Sequence, residues 1–275
     1  IEKRLFSLIA VEAMELSCSF YLPAIQSLKK IYAQESQWEN FIAMAKKEST
    51  LLENADAKIQ VHLAIAETFV QKLSRIDESI SHYEKVYELA PGHPQASIAL
   101  KEIYSQLRQW ENLIQFLLKE AYFLTDPVPL YEQYKRIALV YKEEMQVPLQ
   151  SIPYWEKAYG ILPSAREPLD FLIPLYHSSQ QWELLVSTYQ RKLDLTPTAE
   201  EKIPLFLEQG KIFQDELQNI EKATKVYQSV IDIQSDHFST LNILESLLTQ
   251  QKRWEELLDV HYKQIKAFSD QAQKI

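Results

Sequence analysis

Six histidines, one cysteine and several adjacent carboxylates are the side chains of this chain that could do chemistry. Metal binding would need some of them at ligand spacing, and no HExxH, CxxC or aspartate-rich calcium loop occurs. His62 falls in a sequence slot that holds Tyr134 and Phe206 elsewhere in the chain, which marks a flat core ring rather than a ligand. His93 and His237 share a second slot, just after a helix pair, where a polar loop residue is expected. Acid–base work would need two carboxylates in one cleft. Glu143-Glu144 and Glu200-Glu201 read instead as solvated helix faces or partners of helix dipoles. Glycine occurs only at Gly92, Gly160 and Gly210, so neither a GxSxG elbow nor a phosphate-cradling loop can be built. The sequence therefore assigns no catalytic, metal-binding or cofactor-binding residue.

The elements that hold these side chains follow from composition. Apolar residues make up 46% and charged residues 24% of the 275 positions, the balance of a folded domain and not of a disordered one. Three glycines argue against sheets and nucleotide loops, and for helices joined by tight turns that use no glycine. A net charge of −9 repels phosphate backbones, so nucleic acid is not an expected partner. A lone cysteine, Cys18, excludes an internal disulfide and fits a reducing compartment, which points to the cytoplasm. The apolar run from Leu5 to Val11 is interrupted by Glu12 and Glu15 and continues as a helical stripe to Met14 and Leu16, so no membrane insertion is expected.

The chain repeats itself. The interval from Trp38-Glu39 to Trp110-Glu111 recurs unchanged to Trp182-Glu183 and again to Trp254-Glu255. Leu28, Leu100, Leu172 and Leu244 keep that register, as do Ile31, Ile103, Leu175 and Leu247. Tyr32, Tyr104 and Tyr176 follow, with Leu248 breaking the series. The other half of the period repeats an order of ring, small, ring, ring, small: His62, Ala66, Phe69, Tyr83 and Val86 in one copy, Tyr134, Ala138, Tyr141, Trp155 and Ala158 in the next, Phe206, Gly210, Phe213, Tyr227 and Val230 in the third. Pro91 and Pro163 close two of these copies, with Ser235 in the third. Apolar spacings of three and four residues then place helices in pairs. The pattern predicts one helix at about 3–18 and seven hairpins at about 22–52, 56–91, 94–124, 128–162, 166–195, 199–234 and 237–269. Ser164 with Glu167 and Thr198 with Glu201 have capping-box spacing. Pro129 and Pro204 are placed near helix starts, while Pro174 falls mid-stripe, where it either kinks a helix or marks a later start.

The ring–small–ring–ring–small–proline order resembles the tetratricopeptide repeat, and the resemblance covers nearly the whole chain. It implies an all-α, right-handed superhelical solenoid of antiparallel hairpins spanning 1–275. The Trp-Glu hairpins are degenerate members, with Lys29, Lys101, Ile173 and Glu245 in the small-residue slot. Their tryptophans read as structural wedges at the start of second helices. The resemblance also implies a concave groove lined by first helices. Its positions include Gln60 and Leu63, and the candidate partner-binding residues among them are Glu67, Glu102, Lys135, Lys142, Asp170, His177, Lys211 and Asn242. The family's carboxylate clamp is absent, since its positions hold Leu63, Glu67 and Glu102.

The expected function is a non-enzymatic scaffold that binds a protein or peptide segment in that groove. The alternative is a recruiting or regulatory arm of a larger enzyme or secretion assembly. The opening at residues 4–18 matches a second helix, and Lys274-Ile275 matches Lys58-Ile59 and Lys202-Ile203, so the chain reads as part of a longer array. Leu257, Leu258, His261, Tyr262 and Ile265 would then form an uncovered end, through which chains could self-associate.

Overall fold

The computed structural model describes residues 22–272. The predicted helix at 3–18, Cys18 and Lys274-Ile275 lie outside the described residues. Two compact units divide at Thr125 and Asp126. The first holds α1 (Leu22–Gln34), α2 (Trp38–Leu51), α3 (Ala55–Gln71), α4 (Ile76–Leu89), α5 (Pro94–Gln106) and α6 (Trp110–Phe123). The second holds α7 (Pro127–Leu139), α8 (Ile152–Ile161), α9 (Glu167–Ser178), α10 (Trp182–Asp194), α11 (Ala199–Lys211), α12 (Ile220–Ile233), α13 (Phe238–Gln251) and α14 (Trp254–Ala272). These helices follow one another as hairpins, no strand occurs among the described residues, and within each unit every helix packs on the next in sequence. Each unit is thus an all-α solenoid of stacked hairpins.

Side-chain caps start four of the helices. Asn54 accepts from the Ala57 amide at 2.9 Å, Asp126 from Val128 at 3.1 Å, Thr198 from Glu201 at 3.4 Å and Asn219 from Lys222 at 3.0 Å. Ser164 does not cap. A helix capped there would carry Pro168 in its fourth position, where the missing amide costs a bond. The helix starts at Glu167 instead, with Pro168 in the first turn. Pro174 is internal to α9, and so is Pro204 to α11, contrary to the expectation that it lies near a start.

The turns explain why the repeating length is a pair of hairpins and not a single one. In the Trp-Glu hairpins the left-handed residues are Ser36, Arg108, Gln180 and Lys252. After each, a backbone amide donates five residues back, to the carbonyls of Tyr32, Tyr104, Tyr176 and Leu248 at 2.8–3.0 Å, closing a Schellman turn. In the hairpins α3–α4, α7–α8 and α11–α12 the left-handed residues are Ser74, Gln146 and Gln218. There the following amide reaches six residues back, to Phe69, Tyr141 and Phe213 at 2.7–3.0 Å, and in the last two the first helix ends in a π-turn, Val140–Glu144 and Ile212–Glu216. That wider turn absorbs one more residue, so two hairpin types alternate. All seven left-handed positions carry side chains, which L-residues tolerate poorly. Gln180→Gly should therefore raise stability by about 0.5–1 kcal/mol, the relief of strain exceeding the entropy glycine adds to the unfolded chain. A urea melt in which Gln180→Gly is no more stable than the parent would show the turn to be relaxed.

The repeated slots are the core. Leu28, Leu100, Leu172 and Leu244 are buried, as are Tyr32, Tyr104, Tyr176 and Leu248. Ala66 and Ala138 are sealed in helix–helix contacts, and at Gly210 an added Cβ would lie 2.7 Å from the Tyr227 ring, so no side chain fits there without moving it. The tryptophans divide. Trp155 is 0% exposed and stacks on Phe171 with centroids 4.3 Å apart. The Trp-Glu rings, expected to be core wedges, are only half-buried at Trp38, Trp110 and Trp182, and Trp254 is 56% exposed. They lie at the first position of a second helix, directly after the hairpin turn. Their contacts are edge-on and cationic: Trp38 with Phe41 and under the Lys72 ammonium, Trp182 with His177.

Charge replaces the small residue in three of the four degenerate hairpins, and Ile173 stands in the other. Lys29 pairs with Glu48, which is nearly buried, and one period on Lys101 pairs with Glu120 at 3.2 Å. In the last copy the polarity reverses, Glu245 accepting from Gln264 at 2.9 Å. In the first two copies a long ion pair spans two helices where close alanine packing does so in the other hairpin type. On α14, Leu258, Tyr262 and Ile265 are exposed as expected, with Phe268 beside them, whereas Leu257 and His261 are half-buried.

Candidate functional site

The first-helix face was the expected site, and its eight residues meet different fates. In the first unit Glu67 accepts from Gln95 Nε2 at 2.6 Å and so ties α3 to α5, while Glu102 is exposed. In the second unit Lys135 pairs with Glu167 at 2.7 Å, and Glu167 also accepts from the Tyr131 hydroxyl at 3.1 Å. This raises the Tyr131 pKa to about 12, by burial first and the carboxylate second. Lys142 sits 4.2 Å from the centroid of the Phe171 ring. Asp170 pairs with Lys192 of α10 at 2.6 Å, and Asn242 accepts from Gln264 of α14 at 3.0 Å. His177 and Lys211 are exposed. Five of the eight therefore brace helices, Glu102 and Lys211 remain turned to solvent, and His177, though exposed, meets the Trp182 ring edge-on. Leu63, also placed in the groove by its register, is buried in the core, because α3 is covered on more than one side.

A cavity of about 530 Å³ in the first unit was not foreseen. It lies between the second helices α4 and α6, with α5 at its back. Tyr87, Leu100, Tyr104 and Phe116 form its apolar floor, and Glu84, Glu88 and Lys119 stand around it. The Tyr104 hydroxyl donates to Glu84 Oε1 at 2.8 Å, and burial together with that carboxylate pushes the phenol pKa far up, so the hydroxyl stays a donor. Tyr87 and Phe116 meet edge to face at 4.9 Å. Tyr122, 86% exposed, and Phe123 form the mouth. The signal that could have found it is a carboxylate that keeps a constant offset ahead of the repeat tyrosine: Glu84 precedes Tyr104 by the same distance along the chain as Glu156 precedes Tyr176.

No protein-family model and no curated protein matches the chain. Solved structures do. One is YrrB, a TPR protein with an unusual peptide-binding site, at 16% identity over 66% of this chain and 90% of that one, with a TM-score of 0.35. A second is PilF of Pseudomonas aeruginosa, at 16% identity over 81% of this chain and 96% of that one, with a TM-score of 0.34. A third is the Naa15/Naa10 complex bound to HypK-THB, at 16% identity over 88% of this chain and 36% of that one, with a TM-score of 0.45. The chain's own alternating hairpins, with the small slots buried and the ring slots buried or, at Tyr134, Tyr141 and Phe206, half-buried, are tetratricopeptide-like.

Histidine chemistry centres on one pair. His62 and His82 are buried, with their Nδ1 atoms 3.0 Å apart, and the His82 ring stacks on Phe69. Burial lowers both pKa values, that of His82 to about 4, and Lys46, Lys58 and Lys85 add to the effect. No cluster of three or more potential metal ligands occurs among the described residues, and no described helix is long and apolar enough to cross a membrane.

Proposed function

We propose that this chain is a non-enzymatic scaffold that binds a segment of a partner protein along its first helices. One observation carries the reading. Equivalent outward positions on first helices change chemistry from copy to copy, whereas the buried slots between them repeat. Positions 102, 174 and 246 hold Glu102, Pro174 and Ser246, all exposed. Positions 67, 139 and 211 hold Glu67 and Leu139, both half-buried, and Lys211, exposed. A surface that varies on a frame that does not is what reading a partner's side chains in order requires.

The test begins with a partner captured by the full chain from native lysate and identified by mass spectrometry. Reversing Glu102→Lys together with Lys211→Glu should weaken that partner at least tenfold and leave the melting temperature unchanged, since neither side chain braces a helix. Reversing Lys47→Glu with Glu111→Lys, on exposed faces of second helices, should leave affinity as it is. If the second pair breaks the complex and the first does not, binding does not use the first helices.

A further inference from the structure

The internal repeat supplies a picture of what the α4–α6 cavity holds. One period on, Glu84, Tyr87, Tyr104 and Lys119 become Glu156, Tyr159, Tyr176 and Arg191. In that copy the Tyr176 hydroxyl donates to Glu156 at 2.8 Å, as Tyr104 does to Glu84. The Arg191 guanidinium then donates to both Glu156 oxygens, at 2.9 and 3.1 Å, and lies 5.1 Å from the Tyr159 ring centroid. Carboxylate, phenol and ring therefore make a seat, and in the second unit the chain's own arginine sits in it. In the first unit the seat is built and the arginine is missing. Lys119 stands in its place, lines the cavity, and makes no ion pair with Glu84 among the described residues.

Three further changes between the copies suit an incoming side chain. Phe116 replaces Thr188, which gives an apolar wall for a methylene stem. Glu88 replaces Gly160 and adds negative charge at the rim. Tyr122 and Phe123 replace Asp194 and Leu195 and put exposed rings at the mouth. In the third period the seat is gone, since Gln228 and Leu248 stand where the carboxylate and tyrosine were, and Lys263 pairs with Asp259 instead.

We propose that the α4–α6 cavity is a recognition pocket for an arginine side chain of a partner protein. The guanidinium takes the seat on Glu84 and the Tyr87 ring, and its stem lies along Phe116. A planar guanidinium stacks on a ring and binds a carboxylate through two donors, and it is more weakly hydrated than an ammonium, so an arginine suits the seat better than a lysine does. The exposed rings at the mouth are placed to meet the backbone on either side of that arginine, so the ligand is a peptide arginine and not a free small cation. This pocket lies among second helices and stands independently of the first-helix reading.

The probe is the capped peptide acetyl-Gly-Arg-Gly-amide, titrated into the full chain and followed by amide NMR. Saturable shifts are expected in Glu84–Glu88 and Phe116–Phe123, with the matching lysine peptide at least tenfold weaker. Glu84→Gln keeps an acceptor for Tyr104 and should weaken the arginine peptide at least tenfold without lowering the melting temperature. Lys119→Arg should plug the seat from within, as Arg191 does, and weaken the peptide to a similar degree. If both variants bind as the parent does, or if the lysine peptide binds equally well, the assignment is overturned. Free arginine binding as tightly as the peptide would make this a small-molecule site and overturn the partner assignment.

Discussion

Trp155→Ala should lower the stability of the second unit by about 3–5 kcal/mol, the range for deleting a large buried aromatic side chain. Trp155 is fully enclosed, with Phe171 of α9 stacked on its face and Ala138 of α7 in the same core cluster. Alanine would leave a cavity where three helices meet. In a stacked repeat such damage passes to nearest neighbours, so the hairpins α7–α8 and α9–α10 should lose protection from amide exchange together. Trp155→Phe should be far milder. It keeps most of the stacking and removes an indole N–H that is buried without a partner. The contrast lies with Trp110→Ala. That ring is half-buried at a hairpin rim, and its loss should cost roughly 1–2 kcal/mol, since only part of its surface leaves water on folding. Urea melts of the three variants decide the matter. If Trp110→Ala proves as damaging as Trp155→Ala, burial does not govern these rings.

That contrast also marks how far the sequence could be read. Recurrence at one fixed interval marked the helix pairs and nearly every core slot, because burial is what forces the same residue type to return. Recurrence alone does not say how deep a residue lies. Trp38, Trp110 and Trp182 return as faithfully as Leu100 and Leu172, yet they close the rim of a turn and not its centre. Leu63 was misplaced for a related reason. A groove register assumes one covered face per helix, and α3 is covered more widely. Ser164 shows a local signal losing to a stronger one, the proline four residues later. The α4–α6 cavity was out of reach of periodicity. Glu84, Tyr104 and Lys119 lie on three different helices, and what distinguishes the first copy from the second is one cation that reaches its carboxylate in one and not in the other. Only side-chain placement separates those cases.

The buried histidine pair makes a second large effect testable by pH. One neutral imidazole donates its Nδ1 proton to the Nδ1 of the other across 3.0 Å. A first added proton places a cation in a buried site faced by Lys85 on α4, Lys58 on α3 and Lys46 on α2. A second sets one N–H against another. The fold therefore holds both rings neutral, with His82 lowered to about 4. Unfolded histidines protonate near pH 6.5, so between 6.5 and about 4 the unfolded chain binds more protons than the native one. Stability from this pair is complete above 6.5 and is lost as pH falls through that window, the His82 shift alone accounting for roughly 2–3 kcal/mol at pH 4. Carboxylates titrate in the same range, so the informative quantity is the difference between parent and variant. His62→Phe copies Phe206, the residue of the same slot in the third hairpin of this type, and His82→Tyr copies Tyr154 in the second. Either should unfold at the parent's urea midpoint or above it at pH 5, and the gap from the parent should widen toward pH 4. Parallel stability curves for parent and His62→Phe from pH 7 to pH 4 would mean that the pair is already protonated in the fold, or that water reaches it and relieves the charge.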